Sequence, residues 1–293
     1  MLVHTYEWDK GLEYDGCESG DLMTKNSKKS YNFIFGVVLT SMMLSLIVVG
    51  FFWTPFHPDA MDGVRVLKGP TSANIFGTDQ FGRDIFSRVL AGAGNTFIIA
   101  VGTIFIGGGF GILMGAITGY FGGWLDEVLM RVNDALAAFP SVLLALVMIS
   151  LLGPGRNRVI LALGIAFIPS FARVVRGEFM RYRDAEFVIS ARLIKVPSLR
   201  IMLVHILPNI LPVLLSALAI GFNNAVLAEA GMSYLGIGVQ PPDASLGRML
   251  SESQSFLMGA PWYAIFPGVF IILLVLGVGL LGEGILDKYG GGR

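Results

Sequence analysis

Residues that could bind another molecule are concentrated in one polar segment, where seven Lys and Arg side chains lie between Arg173 and Arg200. Three apolar residues, Leu193, Ile194 and Val196, interrupt the basic ones. An apolar tip surrounded by arginines suits a groove on a soluble protein. The same composition also suits a helix that lies against anionic lipid head groups at the membrane surface. Both interpretations stay open at this point.

The order of residues in this segment predicts two helices joined by an elbow. Asp184 and Glu186 suit the first turn of a helix that runs to about Lys195. Pro197 then interrupts the helix, and a second helix is expected from about Ser198. We expect the elbow to act as a lever with its apolar residues exposed near the bend.

A second group of charged residues is packed into a short stretch before the second apolar run. These residues are Asp79, Arg83, Asp84 and Arg88. Their spacing of four residues allows ion pairs on a helix, which gives a structural interpretation. The alternative is that they contact a partner or a receptor on the outer face of the membrane.

A third group of polar residues lies toward the outer end of the fifth apolar run. Asn223 and Asn224 are adjacent, and Glu229 follows. Uncharged amides can line a route for a peptide backbone without trapping it in a charge pair. They can equally hydrogen-bond another helix, so a pathway and a packing role both remain.

The sequence lacks the patterns of catalytic and metal-binding sites. The three histidines show no HExxH spacing, and Cys17 is the single cysteine. No G-x-x-x-x-G-K-[ST] phosphate loop occurs, and the apolar runs contain no nucleophile with a nearby base. We therefore expect no catalytic residues, no metal ligands, no bound cofactor and no ATP hydrolysis by this chain itself.

Membrane helices must position these residues. Of the 293 residues 54% are hydrophobic and 14% charged, which is too apolar for a water-soluble fold, and the net charge of zero gives no basic excess for nucleic acid. Continuous runs without Asp, Glu, Lys or Arg predict an all-α integral membrane protein with six transmembrane helices. The runs are 30–58, 89–125, 135–155, 159–172, 201–228 and 253–282.

The loops set the expected orientation. Lys and Arg are about twice as frequent in one set of alternate loops, which favours both termini in the cytoplasm. Residues 1–31 would form a polar cytoplasmic tail and residues 32–293 a six-span domain. Its outer loops would cover about 55–94 and 227–262, and its inner coupling loop about 184–206.

The apolar runs themselves carry packing signals but no driving ion site. Ionisable groups are absent from mid-membrane, which weakens a self-sufficient secondary transporter or channel, the alternative function. Pro140 and Pro169 predict kinks. Four glycines spaced four residues apart predict a close packing seam: Gly107, Gly111, Gly115 and Gly119.

The elbow resembles the cytoplasmic "EAA" loop of ATP-binding-cassette (ABC) importer permeases. The matching residues are Ser190, Ala191, Arg192, Ile206, Leu207, Pro208 and Asn209. Two positions depart from that pattern, since Ile189 stands in place of its glutamate and Lys195 in place of its glycine. The bend could therefore be made by Pro197 instead.

Three other stretches are similar to the C-type subunit of the dipeptide, oligopeptide and nickel permeases. They are FGTDQFGRDIFSR at 76–88, GGWLDEVLMRVNDALAAFP at 122–140 and LAEAGMSYLGIGVQPPDASLGRML at 227–250. Together with the elbow, these matches extend over about 32–284 in the order of that family.

The resemblance implies one half of a pore in the bacterial plasma (inner) membrane, paired with a B-type permease. Two cytoplasmic ATPases would bind ATP and Mg, and an extracellular substrate-binding protein would deliver peptides or nickel and metallophore complexes. The elbow would be the coupling helix. Its coupling residues would be Phe187, Ser190, Ala191, Arg192, Leu193, Ile194, Lys195, Val196 and Pro197.

Overall fold

The computed structural model describes residues 18–289, with side chains from Phe33 onward, and this part of the chain is almost wholly helical. A π-helical turn, Ile201–Ile206, joins α7 to α8, and a 3₁₀ turn, Gln254–Phe256, follows α9. The helices are α1 (Glu18–Phe52), α2 (Ile85–Phe121), α3 (Gly123–Ala137), α4 (Ser141–Leu152), α5 (Arg156–Arg183), α6 (Glu186–Leu193), α7 (Ser198–Arg200), α8 (Leu207–Tyr234), α9 (Leu246–Ser253) and α10 (Trp262–Tyr289).

Five helical stretches among the described residues are long and apolar enough to cross a bilayer, and a sixth is added if α3 and α4 count as one span. They are α1 from Phe33, α2, α5, the stretch from α7 through α8, and α10. The all-helical membrane fold is confirmed. The predicted tail lies outside the described residues up to position 17, and α1 begins within it.

The third predicted span is broken at the expected proline. Helices α3 and α4 meet at 81° around Pro140, which cannot donate an N–H and disfavours a helical conformation at Phe139. Helix α4 has only 12 residues, about 18 Å at 1.5 Å per residue, and is shorter than a full crossing.

Helices α2 and α5 are parallel neighbours along the glycine seam. A Cβ atom added at Gly111 would lie 2.5 Å from the Cβ of Phe171, and one added at Gly115 would lie 2.5 Å from the carbonyl oxygen of Ala172. At Gly119 the nearest atoms would be the Arg176 carbonyl oxygen and the Phe179 Cβ, both at 2.7 Å. The predicted seam therefore packs within this chain.

Helix α10 runs antiparallel to α1, as the glycines at their interface indicate. Gly277 lies against Thr40, and Gly284 lies against Phe33. We call the end at which α2, α5 and α10 finish the elbow end, and the end at which they begin the loop end. The first described helix begins, and the last ends, at the elbow end.

Two clusters of buried apolar residues form the core. The larger one occupies the middle and the loop end, where α1, α2, α5, α8 and α10 meet. The smaller one, the elbow-end cluster, includes Tyr120, Phe179 and Ile206 together with Val188 and Ala191 from α6. The short helix α6 is therefore attached to the bundle through apolar packing.

Candidate functional site

Helix α6 is fixed to the bundle along one face. Val188 and Ala191 are buried in the elbow-end cluster beside Tyr120 and Phe179. The Arg192 guanidinium carbon lies 5.0 Å from the centroid of the Tyr120 ring, a cation–π contact with the last turn of α2. Helix α6 is therefore packed directly against the ends of α2 and α5.

The elbow is a Schellman motif with a lysine at its left-handed position. The Val196 N–H donates to the Ala191 carbonyl at 3.0 Å, and the Lys195 N–H donates to the Arg192 carbonyl at 2.9 Å. Lys195 has a φ of 58°, which glycine adopts at the least cost. The bend lies at Lys195, and Pro197 is the N-cap residue of α7.

The tip of the elbow exposes apolar side chains. Leu193 is 78% exposed and Ile194 is 77% exposed, and Leu199 follows them on α7. Val196 differs from the prediction, because it is partly buried against the elbow-end cluster. It follows the left-handed residue of the Schellman motif, a position whose side chain commonly packs back on the helix.

The predicted coupling residues thus divide into two sets. Ala191 is buried and Val196 partly buried, so both belong to the base of the elbow. The exposed members are Phe187, Ser190, Arg192, Leu193, Ile194, Lys195 and Pro197.

Helix α3 supports the elbow end through ion pairs with α5 that the sequence did not indicate. Arg176 donates two hydrogen bonds to Asp126, from Nε at 2.6 Å and from Nη2 at 2.7 Å. Arg173 donates from Nη2 to Asp134 at 2.9 Å. The paired arginine fork fixes the direction of α3 relative to α5.

At the loop end, charged side chains form a buried network. Arg83 Nε lies 2.6 Å from Asp79 Oδ2, and Arg88 Nε lies 3.6 Å from the same oxygen. Both arginines also approach Glu252 of α9, at 3.4 and 3.8 Å, and Tyr263 Oη donates to Glu252 at 2.9 Å. Asp79 is 0% exposed and Arg88 is 2% exposed.

The network sets the protonation of Glu252. Burial alone would raise the pKa of this carboxyl group, but hydrogen bonds from Tyr263 and Arg248 and the charges of Arg88 and Arg83 bring the pKa below its ordinary value. The carboxylate therefore stays charged. Among the side chains described, those of residues 33–289, no three His, Cys, Asp or Glu are grouped to hold a metal ion.

Asp84 has a different role from its neighbours. Its carboxylate caps the first turn of α2 by accepting from the Ser87 N–H at 2.8 Å, and it also accepts from Asn74 Nδ2 at 2.8 Å. Of the two predicted ion pairs the structure forms Asp79–Arg83, with Nε 2.6 Å from Oδ2, while the Asp84 carboxylate hydrogen-bonds Ser87 and Asn74 instead of pairing with the Arg88 side chain. All four predicted contact residues have buried side chains.

The burial of these four residues favours the structural interpretation over direct contact with a receptor. The sequence did not indicate Glu252 and Tyr263, which complete the network from a distant part of the chain. The sequence feature that could have drawn attention to Glu252 is its position as the last charged residue before the uncharged run 253–282.

The three predicted pathway residues point in different directions. Asn224 lines a cavity of about 620 Å³ between α4, α5 and α8. Asn223 faces α10, where its Nδ2 would lie 3.1 Å from a Cβ added at Gly279. Glu229 is buried and accepts hydrogen bonds from Thr96 at 2.8 Å and Ser233 at 2.6 Å.

Comparison with known proteins identifies the family. Residues 111–288, which contain the elbow and its supporting helices, match the family described as "Binding-protein-dependent transport system inner membrane component". This chain belongs to that family. It is the membrane permease of an ABC importer and a multi-pass protein of a bacterial inner membrane, and such permeases work with a second permease and with ATPases.

Curated relatives match nearly the whole permease. It is 37% identical to the dipeptide transport system permease protein DppC of Alkalihalophilus pseudofirmus, over 90% of this chain and 86% of that protein. It is 39% identical to the glutathione transport system permease protein GsiD of Escherichia coli O6:K15:H31, over 84% and 82% respectively.

A solved structure shares the fold. The inward-facing MetNI methionine ABC transporter matches with a TM-score of 0.55 and 19% identity, covering 70% of this chain and 95% of that chain. At 19% identity, this likeness supports the arrangement of the helices and nothing beyond the fold.

Proposed function

We propose that this permease is the C-type subunit of a small-peptide importer and forms the pore with a B-type permease. The relatives named for dipeptides and glutathione support this cargo over nickel or metallophore complexes. The observation that carries the proposal is the exposed apolar tip of α6, at Leu193 and Ile194, on a base that is packed into the bundle.

The elbow transmits force made on partner subunits. Two ATPases bind ATP and Mg and take the tip of α6 into a groove, while this chain, which has no phosphate-binding loop, hydrolyses no ATP. When the ATPases close, α6 moves, and the packing of Val188 and Ala191 moves α2 and α5 with it. The close seam between α2 and α5 makes them move as one unit.

The proposed orientation in the membrane extends to the remaining partners. The elbow end and both termini face the cytoplasm, and residues 32–293 form the six-span domain. An extracellular substrate-binding protein delivers cargo at the loop end, on the surface that the buried network of Asp79, Arg83 and Arg88 holds in place. The alternating exposure of the pore then follows the ATPase cycle.

The experiment is charge reversal at the elbow, Arg192→Glu, in the complete transporter. The change removes the contact with Tyr120 and reverses a charge beside the tip, so ATP-driven uptake of radiolabelled alanyl-alanine should fall by roughly tenfold or more. The control is Arg131→Glu, because Arg131 is exposed at the same end but lies on α3. Control uptake should stay close to that of the unaltered protein.

Two results contradict the proposal. Normal uptake by Arg192→Glu at an equal membrane level would remove the elbow from the mechanism. Uptake by this chain alone in liposomes, driven by an ion gradient, would instead show a self-sufficient transporter.

A further inference from the structure

A groove runs along one face of α8 through the middle of the bundle. It is the cavity of about 620 Å³ between α4, α5 and α8. Val174 of α5 lies toward its elbow end and Leu235 toward its loop end. Helix α8 lines it with a row of small residues and one amide at helical spacing, namely Ala217, Gly221, Asn224, Ala228 and Gly231.

The groove contains polar groups but no charged side chain. Asn224 and Ser170 are exposed in it, and Ser141 lies at the start of α4. Ser170 lies near the middle of the 28-residue helix α5, and the side chains of Ser170 and Asn224 make no hydrogen bond to another described residue. Unpaired polar groups at this depth are costly against lipid tails, so this face meets water, a polar cargo or polar groups of the second permease.

We propose that this groove is the half of the translocation route that this chain contributes, and that Asn224 and Ser170 hydrogen-bond the uncharged main-chain amides of a small peptide. The inference rests on the proposed function. A lining without charge gives no ion pair that would hold a charged side chain in the route, so the groove accepts peptides of different side-chain charge.

Gly231 allows the groove to be filled without disturbing the fold. A Cβ added there meets no atom within 4 Å, so the new side chain enters open space. Gly221, in contrast, is in close contact with Phe171 and cannot be enlarged. Gly177 of α5 also has open space around it but does not line the groove, and it provides the matched control.

The first experiment compares Gly231→Leu with Gly177→Leu in the complete transporter. Uptake of radiolabelled alanyl-alanine should fall at least roughly tenfold in Gly231→Leu and less than about twofold in Gly177→Leu, at equal membrane levels. Equal uptake by both variants would show that the peptide does not pass through this groove.

The second experiment does not depend on the cargo. In a Cys17→Ser background, Asn224→Cys should react with a charged, membrane-impermeant methanethiosulfonate in at least one nucleotide state of the complete transporter. Asn223→Cys, which faces α10, should stay protected. Protection of Asn224→Cys in every state would show that lipid or a partner helix fills the groove, and would overturn the route.

A third measurement, uptake of alanyl-alanine and of lysyl-lysine by the unaltered transporter, separates the two proposals when it is combined with the labelling result. If the unaltered transporter takes up neither alanyl-alanine nor lysyl-lysine while Asn224→Cys is labelled, the peptide cargo is wrong and the route is supported. Uptake of alanyl-alanine without uptake of lysyl-lysine, although the receptor binds both, would show that the uncharged lining does not accept peptides with charged side chains.

Discussion

The two ends of the permease use the same basic residue types in opposite ways. At the elbow end, Arg192 and Lys195 are exposed around an apolar tip. At the loop end, Arg83 and Arg88 are buried and paired with Asp79 and Glu252. A buried and paired cation stabilises the fold of its own chain, whereas an exposed cation beside apolar residues can contact a partner.

The largest expected effect is on stability at the loop end. Arg88→Met leaves Asp79 and Glu252 buried without part of their counter-charge, which should lower the free energy of unfolding by about 3–5 kcal/mol. SDS titration in mixed micelles measures this. The matched control is Arg131→Met at the elbow end, where the arginine is exposed and the expected change stays within about 0.5 kcal/mol. Equal losses in both variants would contradict the contrast between the ends.

A smaller effect is expected from acid at the loop end. The pKa of Glu252 in the folded chain lies below its ordinary value of 4.5, so the stability it contributes is complete above about pH 4.5 and is lost as the pH falls through the lowered pKa. The difference in unfolding free energy between the unaltered protein and Glu252→Gln should be constant from pH 7 to 5 and shrink below that.

This dependence is measured by SDS titration at several pH values between 3.5 and 7. Glu186→Gln, in an exposed position of α6, shows the effect of removing a carboxylate at the elbow end. A difference for Glu252→Gln that stayed constant down to pH 3.5 would show that the network does not depend on this charge.

The smallest effect is expected from the backbone of the elbow. Lys195→Gly relieves a left-handed residue and should raise the free energy of unfolding by roughly 0.5–1 kcal/mol, with uptake retained. Leu67 at the loop end also has a positive φ, of 50°, but its side chain is partly buried, so Leu67→Gly should give no gain. A loss of stability in Lys195→Gly would show that the lysine side chain holds the elbow.

Much of the elbow was predictable because its determinants are local. Neighbouring residues along the chain determine the start of α7 at Ser198 and the acidic first turn of α6. The same holds outside the elbow for the break between α3 and α4 at Pro140. The glycine seam was predictable as a surface for close packing, since its spacing places small residues on one face of α2. Its partner, α5, was not.

The remaining features depend on the rotation of each helix about its axis and on contacts between residues far apart in the chain. Adjacent residues on a helix point about 100° apart, so Asn224 enters the groove while Asn223 faces α10. The sequence alone made Asn223 and Asn224 equal candidates for the pathway. Glu252 joins Arg83 across 169 positions of the chain, a contact that no local pattern reveals.

The sequence by itself determined that this chain lies in a membrane, where the third predicted span breaks and which segment projects from the helices, because hydrophobic length, proline and capping act over a few residues. Only the tertiary structure decided which charges are buried, which face of α8 opens to a groove and how the elbow is attached. Those properties arise from the packing of helices against one another, and the rotation of each helix follows from contacts with residues far away in the chain.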